Sequence, residues 1–258
     1  MNSITNKVIL GFLLLFALLC SSGQVNAQPL APNEPIVASM PSPSYTVDEQ
    51  RVILQNEFAI AQRYLGSINL PTQSETIHVA IKTKAEFEAI NVSTYWAAAL
   101  PSGIWIRDDI AAIMVTSIYR ENTYPNKASG MPPIYRRLIL HELLHYIQAV
   151  PVFQSNSKLF IEGRNLEEGI VDSISFDLLQ SYTRFRYGKS ADKRFAFNMQ
   201  FATEQSGYKD QIVEVRKISA KLAGLMPNKW RDKRAFNMRI KLLLVAFDVR
   251  QGYIQGLQ

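Results

Sequence analysis

One segment decides how the chain is interpreted: MPPIYRRLILHELLHYIQAV, residues 131–150. Its prolines stand at the start, where a helix tolerates a missing N–H, and Pro151 follows it, so the pattern predicts a helix over residues 132–150. Two histidines four residues apart on a helix project from the same face, and both imidazoles can reach one metal ion about 2.0–2.1 Å away. We therefore predict that His141 and His145 bind a metal ion.

Glu142 directly follows the first of these histidines. It is offset by about 100° around the helix, close enough to act on a metal-bound water without occupying a ligand position. In a chain with three histidines, this HExxH arrangement arises by chance in roughly one chain in a thousand. The alternative is a buried helix whose histidines only form hydrogen bonds, and it must bury three polar side chains on or beside an apolar face.

A catalytic zinc site needs a third protein ligand and an open position for water. His78 lies far upstream on a predicted strand and no histidine follows the motif, so the third ligand must be a carboxylate. Glu162, Glu167 and Glu168 compete for this role. Only Glu168 has an acid four residues later, Asp172, which can accept the outer N–H of a ligand histidine. We therefore predict Glu168 as the third ligand.

The HExxH helix is followed about twenty residues later by LEEGIVD, residues 166–172. This combination resembles the gluzincins, the zinc metallopeptidases similar to thermolysin and to the zinc aminopeptidases, and the resemblance covers residues 103–179. It implies a zincin-like domain that hydrolyses peptide bonds with one zinc ion per chain. The site residues that it implies are His141, His145 and Glu168 as zinc ligands, Glu142 as the general base and Asp172 as the partner of the first histidine. No segment of the GxMEN type, which binds a free amino terminus, lies upstream, so aminopeptidase specificity is not implied.

Two further expectations come with this resemblance. In gluzincins a downstream tyrosine or histidine commonly stabilises the oxyanion. Here Tyr182, Arg186 and Tyr187 follow the helix that begins near Glu168, and they are the candidates for this role. The alternative is that each is an ordinary core or surface side chain. Peptide substrates lie extended along an edge strand beside the motif helix. Residues 110–115 are the candidate, because their small side chains leave room for backbone pairing, and a plain core strand is the alternative.

The spacing of apolar residues predicts the other elements. Alternation predicts strands over residues 76–81, 103–107 and 110–116, with Asp108-Asp109 as a hairpin turn between the last two. Helical spacing predicts helices over residues 48–65, 84–90, 166–182, 191–204, 209–225 and 230–251. Strands first and helices afterwards indicate an α+β domain over residues 47–258, with a small N-terminal sheet, the HExxH active-site helix and a mostly helical C-terminal part.

The N-terminal residues predict export. An apolar run over residues 8–19, too short to span a bilayer, is followed by the small-residue site Val25-Asn26-Ala27, which indicates a signal peptide over residues 1–27 and a secreted or periplasmic protein. Cys20, the only cysteine, leaves with this peptide, and the bulky Leu19 before it argues against lipid attachment. A zinc site in the mature chain must then use histidines and carboxylates. Five prolines mark residues 28–46 as a flexible leader.

Charge is uneven along the chain. Residues 184–258 contain sixteen Lys or Arg against six Asp or Glu, whereas residues 28–183 contain eleven against sixteen. A basic helical part of an exported protein can dock on an anionic envelope surface, although solvated helix faces explain most such runs. Nucleic acid is not expected as a partner, because export removes the chain from it and no recognition motif is present.

Two other functions stay open at this point. One is a zincin-like binding protein in which the metal is structural or absent, and the other is a zinc hydrolase of non-peptide amides or esters. Glu142 argues against the first, because neither structure nor metal ligation requires it. The HExxH motif does not separate the second from a peptidase.

Overall fold

The computed structural model describes residues 44–72, 76–89, 96–100, 102–123, 133–152, 157–188 and 206–245. The predicted signal peptide, the leader up to residue 43 and the predicted helix over residues 191–204 lie outside these ranges. Among the helices that are described, none is both long and apolar enough to cross a membrane.

The described chain alternates helices with short strands in its first half and is helical afterwards. In chain order the elements are α1 (Val47–Ser67), β1 (Val79–Lys82), α2 (Lys84–Ala89), β2 (Ala97–Leu100), β3 (Gly103–Arg107), α3 (Asp108–Thr123), α4 (Pro133–Val152), α5 (Ser157–Tyr187), α6 (Lys209–Leu222), a 3₁₀ turn (Pro227–Lys229) and α7 (Lys233–Leu244). This is a mixed α and β structure, compatible with the predicted α+β class.

Helix α1 follows the predicted pattern. Thr46 and Glu49 form a capping box at its start, in which each side chain bonds the other residue's backbone N–H. The apolar side chains spaced by three or four residues all face the core, and they are Leu54, Phe58, Ala61 and Leu65. The helical spacing in this segment therefore predicted both the element and its buried face.

The three strands form one sheet in the order β1-β3-β2. Strand β3 runs parallel to β1 and antiparallel to β2, with Ala98 opposite Trp105 in the second pairing. Gly103 begins β3 at a φ of 133°, and a Cβ there would lie 2.2 Å from the backbone oxygen of His78, so this position requires glycine. Strand β2 therefore lies at one edge of the described sheet.

The predicted strand over residues 110–116 is wrong, because these residues belong to helix α3. Asp108 and Asp109 do not form a hairpin turn but lie in the first turn of that helix, where negative charge is favourable. The buried apolar residues repeat with helical spacing, and they are Ile110, Ala111, Met114, Val115 and Ile118. The substrate-strand candidate over residues 110–115 is overturned with it.

Helices α4 and α5 pack against each other and carry much of the core. Helix α4 continues two residues beyond the predicted end, so Pro151 lies in its last turn. Helix α5 begins nine residues before the predicted start at residue 166, and two glycines inside it hide its length, since glycine weakens a helix signal. Helix α6 crosses α5 at Gly169, where a Cβ would lie 2.7 Å from the Cβ of Gln211.

Candidate metal centre

Three potential ligand atoms converge between α4 and α5. The Nε2 atoms of His141 and His145 are 3.1 Å apart, and the Oε2 atom of Glu168 lies 3.4 Å from the first and 3.3 Å from the second. A tetrahedral zinc ion with bonds of about 2.0–2.1 Å separates its ligand atoms by about 3.3–3.4 Å. The three atoms, which we call the ligand cluster, thus have the spacing of one face of such a tetrahedron.

Asp172 determines how His141 faces the ligand cluster. Its Oδ1 atom lies 2.6 Å from the Nδ1 atom of His141. Burial raises the pKa of Asp172, but the charges of Arg137 and His141 and the hydrogen bonds of His141 and Ser206 outweigh burial and lower it. The ionised carboxylate can only accept a hydrogen bond, so Nδ1 must donate, and Nε2 is left to bind a cation.

The ligand cluster attracts positive charge. Burial lowers the pKa of His141, but the charge of Asp172 and the hydrogen bonds of Asp172 and Glu168 outweigh it and raise the pKa to about 10. Burial likewise raises the pKa of Glu168, yet the charges and hydrogen bonds of the two histidines hold it well below its usual range. In the metal-free chain a proton thus occupies a position that favours a cation, and a metal ion bound to Nε2 would have to displace it.

Glu142 lies beside the ligand cluster and is buried. Burial raises the pKa of its carboxyl group, although the charges of the two histidines and a hydrogen bond from the backbone N–H of Ala99 oppose this. A carboxyl group with a raised pKa suits proton transfer near neutral pH. Because Ala99 belongs to β2, this contact also shows that the edge strand runs beside the motif helix.

Several charged groups are buried around the ligand cluster. Glu142, Glu168 and Asp172 are buried carboxyl groups, and Arg137 supplies one guanidinium group against them. The imidazole of His141, whose pKa is raised to about 10, adds a second positive charge, and the raised pKa of Glu142 favours its neutral form, so a proton balances the charges of the metal-free site. With a divalent cation in place of the proton on His141, all three carboxyl groups can be ionised without excess charge.

The other acids considered for the third ligand are not part of this arrangement. Among the side chains that the structure describes, the group able to hold a metal consists of His141, His145 and Glu168. Glu167 is buried but does not belong to that group, because consecutive residues on a helix point about 100° apart. The side chain of Glu162 lies outside the described residues.

The structure does not bring the predicted oxyanion donors to the cluster. Tyr182 is buried against Tyr64, with ring centroids 5.4 Å apart, and lies about 21 Å further along the helix from Glu168 at 1.5 Å per residue. Arg186 bonds Glu57 at 2.8 Å. The hydroxyl of Tyr187 donates to Glu121 at 2.8 Å. All three side chains lie too far along α5 from Glu168 to reach the ligand cluster.

The other histidine, His78, also lies apart from the cluster. It precedes β1, its side chain is exposed, and its backbone oxygen accepts the N–H of Ile104 at 2.8 Å. These contacts are those of a residue next to a strand, the role that the sequence favours for it.

Sequence reasoning missed three contributors to the site. Arg137 stands four residues before His141 on the same face of α4, so the helical spacing that reveals the motif also indicates this residue. Ser206 bonds Asp172 from a segment distant in sequence, and no pattern indicates that contact. The strand β2 consists of three alanines and a leucine, a composition without a strand signal.

Comparison of the chain with models of protein families, with curated proteins and with solved structures found no match. What the site can do is therefore inferred from its own residues.

Proposed function

We propose that the chain is a zinc-dependent hydrolase that cleaves peptide bonds, a metallopeptidase of the kind that the gluzincin resemblance implies. The observation that carries this proposal is the triangle of His141, His145 and Glu168 ligand atoms at 3.1–3.4 Å with Glu142 beside it. The small sheet, the helix α4 with its HExxH motif and the helix α5 with Glu168 follow one another in the order that the gluzincin resemblance implies. Residues 1–27 support export to the periplasm or the medium.

Zinc fits the donor set better than other common divalent cations. Two imidazole nitrogens and one carboxylate oxygen form a three-ligand set that suits catalytic zinc, whereas magnesium and calcium prefer oxygen ligands alone. When bound, zinc polarises a carbonyl oxygen and lowers the pKa of a water molecule.

Glu142 and Asp172 have different roles in the proposed reaction. Glu142 takes a proton from the attacking water at its carboxylate and returns it to the departing amine nitrogen. Its raised pKa helps it to hold that proton between the two steps. Asp172 keeps the imidazole of His141 in the tautomer that leaves Nε2 free.

The edge strand β2 favours an extended peptide as the substrate. In the described sheet β2 pairs with β3 on one side, and α4 packs beside it. The small side chains of Ala97, Ala98 and Ala99 leave room for a second backbone to pair with the other side. This strand takes the role that the sequence analysis gave to residues 110–115.

The test is to compare Glu142→Gln with the wild type. The amide keeps the shape of the side chain but cannot take a proton, so we expect about one zinc ion per chain in both proteins and hydrolysis of a broad peptide mixture by the wild type alone. Zinc is measured by elemental analysis and cleavage by mass spectrometry. Glu214→Gln, at an exposed position of α6, is the control and should cleave normally.

Two outcomes would overturn the proposal. If both proteins bind zinc and neither cleaves any peptide, the metal serves binding or structure rather than peptide hydrolysis. If Glu142→Gln cleaves as fast as the wild type, the activity does not come from this site.

A further inference from the structure

Asp172 is the most heavily bonded carboxylate near the ligand cluster. It is 1% exposed, and its Oδ1 atom accepts hydrogen bonds from His141 and from Arg137. Its Oδ2 atom accepts a third bond, from the hydroxyl of Ser206 at 2.8 Å. Both oxygens are therefore engaged, and the carboxylate cannot rotate without breaking a bond to a second element.

Arg137 is itself held by the two helices. It lies one turn before His141 on α4, and its guanidinium group stacks over the ring of Phe176, 4.9 Å from the centroid. Phe176 is 3% exposed and lies one turn after Asp172 on α5. The guanidinium group is thus fixed by stacking on one side and by a charge-assisted hydrogen bond on the other.

Ser206 approaches from outside this helix pair. Its hydroxyl donates to Asp172 and accepts the backbone N–H of Tyr208 at 3.1 Å, so the direction of the O–H bond is fixed. The segment leads directly into α6, which crosses α5 at Gly169, the residue after the ligand Glu168. The basic C-terminal part therefore contacts the metal centre in two places.

We propose that Arg137 and Ser206 are positioning residues, which hold the carboxylate of Asp172 so that His141 presents Nε2 to the metal ion. This inference rests on the proposed zinc site. It assigns to α6 and the segment before it a part in metal binding, so the C-terminal region supports the site. Ser206 acts through Asp172, and Asp172 acts through His141.

Ser206→Ala is the cleanest test, because it removes one hydrogen bond and no charge. We expect the zinc dissociation constant to rise about threefold to tenfold, less than the roughly 10- to 100-fold effect of losing a group bonded to a ligand. Chelator competition measures the constant, and the visible spectrum of the cobalt-substituted protein, which reports ligand geometry, should change. Ser206→Thr, which keeps the hydroxyl, should restore both. Arg137→Lys keeps the charge but loses the stacked planar group, and it should weaken zinc binding by a similar factor.

Ser173→Ala is the matched control. Ser173 is a fully buried serine next to Asp172 in sequence, but its hydroxyl donates to the backbone oxygen of Ile170 at 2.9 Å instead. This variant should leave zinc affinity and the cobalt spectrum unchanged. In a chain that already carries Asp172→Ala, Ser206→Ala should have no further effect, because the carboxylate through which Ser206 acts on His141 is absent. Circular dichroism checks that each variant folds, and the comparison of Ser206→Ala with Ser173→Ala carries the test alone if Asp172→Ala does not fold.

The possible failures are distinguishable. A wild type that binds no zinc or cobalt rejects the proposed site itself. A wild type that binds zinc, together with a folded Ser206→Ala variant of unchanged affinity and spectrum, rejects the positioning role alone. Equal effects of Ser206→Ala with and without Asp172 would show that the serine acts by another route.

Discussion

Helices α4 and α5 carry two buried polar clusters, and these differ in how their charges are balanced. In the ligand cluster, two histidine nitrogens face each other at 3.1 Å with a carboxylate oxygen 3.3–3.4 Å away, and a proton on His141 supplies part of the positive charge. In the second cluster, each acid has a donor. We call it the ionic cluster, and its members are Glu57, Glu121, Arg136, Arg186 and Tyr187.

The ionic cluster pairs its carboxylates with donors of the protein itself. Arg186 donates twice to Glu57, Tyr187 donates to Glu121, and Arg136 lies over the ring of Tyr187 at 5.5 Å. Two guanidinium groups thus accompany two carboxylates. The ionic cluster joins α1, α3, α4 and α5 through fixed ion pairs, whereas the ligand cluster has the spacing of metal ligands and depends on a proton of His141 for its positive charge. Burial and polarity alone therefore do not identify a functional site, whereas ligand atoms that converge at metal-binding distances make this cluster a candidate.

Two neighbouring arginines on α4 divide between the clusters. Arg136 faces the ionic cluster and Arg137 bonds Asp172, because consecutive helical residues point about 100° apart. The two clusters can therefore be disrupted independently by substitutions in one helix.

The largest expected effect is the loss of metal from the ligand cluster. Glu168→Gln should weaken zinc binding by well over 100-fold, beyond the range typical of groups that only support a ligand. Glu167→Gln is the matched control, and it should keep zinc because Glu167 does not belong to the ligand cluster. Zinc content after dialysis checks both variants. If Glu167→Gln or Glu162→Gln strips the metal while Glu168→Gln retains it, the assigned third ligand is wrong.

The ionic cluster should respond in stability and not in metal content. Arg136→Met removes a cation that is 1% exposed and leaves Glu121 with less compensation, so the free energy of unfolding should fall by about 3 kcal/mol. Zinc content per folded chain should stay at the wild-type value. Arg63→Met, at an exposed position, should change stability by less than about 0.5 kcal/mol. Denaturant unfolding measures both, and loss of zinc from folded Arg136→Met would show that the two clusters are not independent.

A smaller effect is expected at the crossing of α5 and α6. Alanine usually stabilises a helix relative to glycine, but in Gly169→Ala the new Cβ would lie within 2.9 Å of backbone atoms of Gln211, so unfolding should become easier by about 1–3 kcal/mol. Gly66→Ala in α1 is the control, since its Cβ would meet only Thr72, at ordinary contact distances of 3.5 and 3.6 Å. Equal thermal stability of the two variants would mean that α6 moves aside at little cost.

Some contacts of the ligand cluster can be predicted from the sequence, and others cannot. Spacing within one helix is encoded locally, so the pairing of His141 with His145 and of Glu168 with Asp172 is evident from the residues. The separation of Tyr182 from Glu168 already follows from the predicted helix over residues 166–182, whereas the continuation of α5 to Tyr187 lies beyond its predicted end. Ser206 reaches Asp172 by tertiary packing, which no local pattern encodes.

Strands were harder to predict than helices for a related reason. The β-branched residues near Ile113 favour a strand, but burial at helical spacing and two acids in the first turn select helix α3. Conversely, the alanines of β2 favour a helix locally, and pairing with β3 makes them a strand. Tertiary contacts decide such short segments.

The atoms around bound zinc test directly whether His141, His145 and Glu168 hold the metal. X-ray absorption spectroscopy of the purified protein, loaded with one equivalent of zinc, measures the number and type of atoms around the metal. Binding by His141, His145 and Glu168 predicts two imidazole nitrogens at about 2.0–2.1 Å and oxygen ligands at about 2.0–2.2 Å, from the carboxylate and water. His145→Ala should lose this signal. A chain that binds no zinc, or a spectrum unchanged in His145→Ala, would contradict the account.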